Sequence, residues 1–184
     1  MPNWCFNTIS VEGPKADVEK FLEAVRGNKD FPHLNFNGVV PMPDELRNTK
    51  SPNDNEELSN LLTEKYGAPD WYSWSVNNWG TKWNCTAIDD WDITDCKNNE
   101  TVATINVDTA WSPPTEFLVK ASEIYRSLIF SNEYYEQGNC FIGSHVILKG
   151  YFESKLEPDW DSEAGIEMRK DYGIYHEEEE LNED

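Results

Sequence analysis

The fold class predicted by this 184-residue chain is α+β, of the ferredoxin-like split βαβ type, and three observations predict it. The chain opens with a run of period-two alternation. Two later segments, 14–27 and 113–128, space their apolar residues as helices do. Strand-like runs separate and follow them, so the order reads β-α-β-β-α-β plus an extra strand once an excursion at 28–83 is set aside. Such an order gives an antiparallel sheet with both helices on one face.

The first strand is WCFNTISVEG at 4–13. Cys5, Asn7, Ile9 and Val11 share one face, Trp4, Phe6 and Thr8 the other, and Gly13-Pro14 ends the run. PKADVEKFLEAVRG places Val18, Phe21, Leu22 and Val25 on one helical stripe and stops at Gly27. Residues 28–53 read as loop, rich in Asn and Pro, with an apolar stretch at Phe36, Val39 and Val40. A short helix is predicted over 54–66 with Leu58, Leu61 and Leu62 as its stripe. An inserted aromatic loop segment at 71–83 then leads into a strand around 84–92.

KNNE at 97–100 marks a hairpin into TVATINVDTAW, where Ala103, Ile105 and Val107 share a face. Pro113 and Pro114 suit the first turn of a helix carrying Phe117, Leu118, Ala121, Ile124, Tyr125 and Leu128. Strands follow at 129–136 and 139–152, joined at Gln137-Gly138. The domain is therefore expected over 1–152 with its insertion at about 28–83. Residues 153–184 are expected to form an acidic C-terminal extension, partly disordered, with aromatic anchors between Asp171 and Tyr175.

Charge narrows the partners. The chain has 35 Asp and Glu against 15 Lys and Arg, a net −20, and residues 153–184 alone hold 13 of those acids against 3 bases. Without Lys/Arg clusters there is no footprint for direct nucleic-acid binding, and anionic membrane surfaces are disfavoured equally. No signal peptide or membrane span is legible, so a cytoplasmic protein with reduced thiols is expected. Cys5, Cys85, Cys96 and Cys140 show no metal-ligand spacing, and neither a metal nor a cofactor is predicted. Cys5, Cys85 and Cys140 fall in expected strands and read as small buried hydrophobes.

Aromatics compensate for few aliphatics: eight Trp, eight Tyr and eight Phe supply much of the buriable area. Their densest cluster, NNWGTKW at 77–83, is the candidate ligand site. Its residues are Asn78, Trp79, Gly80, Thr81, Lys82 and Trp83, with Trp111 added from the third strand. An aromatic face stacks a planar ligand, while Lys82 and the Gly80 backbone hold an anionic one. Either a nucleotide or a sugar fits, since Trp beside Asn77, Asn78 and Asp90 is also carbohydrate chemistry. The same residues serve equally as a loop packed over the sheet, with Lys82 paired to a carboxylate. The histidines His33, His145 and His176 lie far apart, and no nucleophile, phosphate-loop or metalloprotease motif occurs, so no catalytic residue is assigned.

MPNWC-x-N at 1–7, NWGTKW at 78–83 and TAWSPP at 109–114 together resemble the YubB ferredoxin-like domain family, over roughly 1–152. The resemblance implies the same α+β fold and an accessory protein of phages, plasmids and prophages. It implies no reaction and no catalytic residues. Taken with the charge, the expectation is a non-catalytic binding module that recognises a small ligand or a host factor. The alternatives are an acidic mimic of nucleic acid that inhibits a host protein through its charged surface, and a hydrolase. Oligomeric state is left open.

Overall fold

The computed structural model describes residues 2–27, 34–85 and 91–174. Its sheet has six antiparallel strands in the order β2-β3-β1-β4-β5-β6. The strands are β1 (Trp4–Pro14), β2 (Asp92–Asp95), β3 (Glu100–Ala110), β4 (Ile129–Glu136), β5 (Phe141–Leu148) and β6 (Tyr151–Leu156). The helices are α1 (Lys15–Val25), α2 (Asp44–Arg47), α3 (Glu56–Tyr66), α4 (Trp71–Trp79), α5 (Thr115–Ile124) and α6 (Glu163–Asp171). Strands β2-β3-β1-β4 with α1 and α5 form the ferredoxin-like core, as expected, and β5 and β6 extend the sheet.

Strand alternation sorts the side chains onto two faces. Ile9 and Val11 of β1, Ile105 and Ala103 of β3, and Phe130 of β4 pair across the sheet and point to the helix layer. There they meet Val18, Phe21, Leu22 and Val25 of α1 and Phe117, Leu118 and Ala121 of α5, all buried. Phe21 lies edge-on to both Phe130 and Tyr125, at 5.2 and 5.4 Å between ring centroids.

Several elements differ from the sequence reading. The aromatic segment 71–83 is not a loop: residues 71–79 form α4, capped by the Asp70 carboxylate accepting from the Ser73 amide at 2.8 Å. Trp74 and Trp79 fall on its inward side and join the core of the helix layer together with Leu34, Phe36, Leu46 and Leu62. The excursion thus enlarges the helix layer, and α4 packs on α5. In α3 only Leu62 of the expected stripe is buried; Leu58 and Leu61 face solvent. No strand begins at 84: Asn84 and Cys85 are irregular, 86–90 lie outside the described residues, and β2 starts at Asp92.

The expected strand 139–152 is two strands, because Lys149 and Gly150 both take positive φ and turn the chain. Cys5 is buried in β1, whereas Cys85 is buried outside any strand and Cys140 is exposed in a turn. The boundary expected at 152 falls inside β6, and residues 163–171 are helical. Helix α6 lies on the sheet face opposite α1 and α5. Ile142 there forms a second small core with Trp160 and Ile174, bordered by Tyr135, Met168 and Tyr172. Residues 175–184, with the glutamate run, lie outside the described residues. No helix among the described residues is long and apolar enough to cross a membrane.

Candidate functional site

The seven residues singled out from the sequence are distributed between core and surface. Trp79 is 3% exposed, its indole N–H donates to the Val40 carbonyl at 2.9 Å, and its ring packs against Phe36 and Trp74. Both faces of the ring are therefore enclosed by the fold. Thr81 is fully buried and donates to the Ala110 carbonyl at 2.8 Å. Asn78 donates to the Trp74 carbonyl and accepts from the Lys120 ammonium.

Gly80 ends α4 with φ +82°, and a Cβ there would lie 3.0 Å from the Pro113 carbonyl oxygen. Its own carbonyl accepts from the Ser112 hydroxyl at 2.6 Å, which ties the loop to the β3–α5 connection beside Trp111. These contacts make NNWGT the joint between the inserted helices and the sheet. At the surface remain Trp111, which is 42% exposed, and the half-buried pair Lys82 and Trp83. The Lys82 ammonium lies 4.7 Å from the Trp83 ring and 5.9 Å from that of Tyr72.

A different group of residues forms a groove of about 430 Å³ on the other face of the sheet. Its floor follows directly from strand register. Asp108 of β3, Phe6 of β1 and Tyr135 of β4 stand side by side in one row, and Asn106, Thr8 and Glu133 in the next. The C-terminal end of α6, Asp171 and Tyr172, makes the wall. Phe6 and Tyr135 stack with centroids 4.9 Å apart and planes 21° from parallel, and Phe6 stays 40% exposed. Tyr172 closes on Tyr135 at 6.4 Å and donates its hydroxyl to the Gly143 carbonyl at 3.3 Å.

Asp108, Glu133 and Asp171 line this groove, and neither lysine nor arginine does. The field is correspondingly negative. Burial raises the Asp108 carboxyl above its ordinary range. The Tyr172 hydroxyl is pushed up by burial and then by the charges of Glu133 and Asp171. Tyr135 rises through burial and then Asp108. Burial is the first cause of all three shifts; the carboxylates add to those of Tyr172 and Tyr135. Among the described residues no three His, Cys, Asp or Glu side chains are placed to share a metal ion.

The sequence reading passed over this groove. Its one visible signal was the outward face of β1, where Phe6 stands between Trp4 and Thr8 away from the core. The contributions of β3, β4 and α6 come from 100 or more residues downstream and are joined to Phe6 only by the sheet.

A family model described as the ferredoxin-like domain in Api92-like protein matches residues 90–182. Among solved structures, the chain is similar to the crystal structure of a protein Api92 from Yersinia pseudotuberculosis. The TM-score is 0.52 at 10% sequence identity, covering 86% of this chain and 98% of that one, a likeness of fold alone. No curated protein matches the chain. These findings correct the resemblance to the YubB family drawn from NWGTKW and TAWSPP. Trp79, Thr81 and Ser112 within those motifs make packing and backbone contacts that seat a helical insertion on a sheet. Residue strings fixed by such needs are weak guides to family. By the extent of the match, the chain belongs to the family of ferredoxin-like domains found in Api92-like proteins.

Proposed function

We propose that the protein is a non-catalytic binding module whose open sheet face captures a positively charged segment of a partner protein. The observation that carries the reading is the groove on that face, with stacked aromatic rings on its floor and three carboxylates, Asp108, Glu133 and Asp171, in its lining. Rings exposed on an open sheet can also stack nucleic-acid bases. Here Asp108, Glu133 and Asp171 would meet the phosphates, so the same platform suits a cation. The volume, about 430 Å³, is within the range of pockets that enclose a ligand group. A partner whose basic surface normally holds nucleic acid has the matching chemistry, which connects this reading with the charge-mimic alternative.

The test is titration with a short arginine- and lysine-rich peptide, followed by calorimetry at low and high salt. Asp108→Asn with Glu133→Gln should weaken binding about tenfold or more, the effect of losing two close charge partners. The control, Asp54→Asn with Glu56→Gln, removes the same charge from the exposed segment before α3 and from its first residue and should leave affinity within about twofold. Equal losses in both variants would reduce the effect to net charge and sink the groove.

A second reading keeps the surface named from the sequence. Lys82 held over Trp83 and Tyr72, beside exposed Trp111, offers a cation and ring faces to a planar anionic ligand such as a nucleotide. A thermal shift with nucleotides that disappears in Lys82→Ala would favour it over the groove.

A further inference from the structure

We infer that the group seated in the groove is a guanidinium, so that the partner is recognised through an arginine side chain in preference to lysine or methylated lysine. This inference rests on the cationic-groove reading and makes it specific.

Three cations have to be distinguished. A trimethylammonium group has no N–H and is held by rings that wall it on several sides. In the groove, Phe6 and Tyr135 stack on each other with centroids 4.9 Å apart and planes 21° from parallel. Each ring thus covers one face of the other instead of walling a cage, and Tyr172 stands beyond Tyr135 at 6.4 Å. Three carboxylates beside a group that cannot donate hydrogen bonds would gain its charge attraction but no hydrogen bond in place of the water they lose. The groove thus favours a cation that donates hydrogen bonds over a methylated ammonium.

A lysine ammonium is a compact, strongly hydrated point charge with three donors. It can reach a carboxylate and sit over a ring, but its tetrahedral head cannot lie flat on a ring while turning donors to carboxylates at the ring's edge. A guanidinium is planar, more weakly hydrated, and carries five donors in its own plane. Laid on the face of Phe6 that Tyr135 does not cover, it would turn its N–H edge towards the carboxylates of the neighbouring strands. The register supplies them: Asp108 is directly opposite Phe6 on β3, and Glu133 is the diagonal neighbour on β4, opposite Thr8. Asp171 stands on the wall of the same groove. Phe6 is the specificity-determining residue in this arrangement, and the carboxylates supply affinity for any cation.

The experiment uses the full chain and four acetylated, amidated pentapeptides, Gly-Gly-X-Gly-Gly, with X as arginine, lysine, trimethyllysine or citrulline. Binding is read from amide chemical shifts of the labelled protein. Arginine should bind about fivefold or more tighter than lysine, with shifts centred on Phe6, Thr8, Asn106 and Glu133. Phe6→Leu, which keeps an apolar group but no ring, should bring the two peptides within about twofold of each other. Asp108→Asn should weaken both by a similar factor.

Lysine or trimethyllysine binding as tightly as arginine would overturn the guanidinium assignment and leave the cationic groove standing. Citrulline binding as tightly as arginine would overturn both, because charge would then be irrelevant. Failure of every peptide, together with failure of the longer basic peptide above, would overturn the binding module itself. Phe6 is partly exposed, and an unchanged melting profile in Phe6→Leu verifies that any loss is local.

Discussion

Tyr134 on β4 lies across Gly143 on β5, its directly paired neighbour, so that a Cβ at Gly143 would stand 2.6 Å from the tyrosine hydroxyl. The absent side chain lets Tyr134 extend over β5 and donate to Glu157 at 2.5 Å. On the other face the Gly143 carbonyl accepts from Tyr172. One glycine therefore anchors a ring above the sheet and a ring below it.

Gly143→Ala is expected to destabilise the fold by about 1–3 kcal/mol, the range for an overpacked site. The added methyl also meets the Leu156 backbone carbonyl at 2.9 Å, so relaxation cannot come from Tyr134 alone. Urea unfolding measures the loss. A midpoint equal to the native one would show that β5 and β6 separate easily.

Trp79→Phe should cost about 1–3 kcal/mol, because it removes the only N–H that the ring supplies and deprives the buried Val40 carbonyl of it. Trp79→Ala should cost more, about 3–5 kcal/mol, through the cavity it leaves. Neither should change affinity at the open-face groove under conditions where the variant is folded. Loss of groove binding without loss of stability would restore Trp79 as a recognition residue.

His145 gives the fold a defined acid sensitivity. Its ring is 1% exposed, both ring nitrogens lack a hydrogen-bond partner, and its neighbours are the rings of Tyr134 and Phe152. Burial holds its pKa down at about 4 against an ordinary 6.5; Glu157 opposes the shift and Lys155 reinforces it. Between those values the unfolded chain binds a proton that the folded chain does not. Stability therefore falls as pH drops from 6.5 towards 4 and levels off below, by about 3 kcal/mol in all. The difference between wild type and His145→Phe, followed by denaturation across that window, isolates the effect. A difference that does not vary with pH would show that His145 titrates normally.

The thiols should divide into two pairs. Cys96 and Cys140 are exposed, whereas Cys5 is fully buried and Cys85 nearly so. Burial raises both buried thiols, Cys85 to about 12, far from the thiolate that reacts. Ellman's reagent should modify two thiols per native chain and the remaining two only on unfolding. Rapid native labelling of Cys5 would mean that β1 opens readily.

The sequence by itself determined the ferredoxin-like core. Period-two runs such as Cys5, Asn7, Ile9, Val11 and helical stripes such as Val18, Phe21, Leu22, Val25 are local consequences of which face meets water, so they are readable without a partner in view. It determined the net charge as well. Tertiary structure decided the rest. Whether the tryptophans of 71–83 form a pocket or a core depended on what they pack against, and α4 turns Trp74 and Trp79 inward onto Phe36. The groove depended on a register that sets Phe6 between Asp108 and Tyr135, and on α6 crossing to the open face to place Asp171 and Tyr172 beside them. Each of those neighbours lies more than 100 positions from Phe6 along the chain. A groove built from long-range pairings leaves no local period, which is why it became visible only when the sheet was assembled.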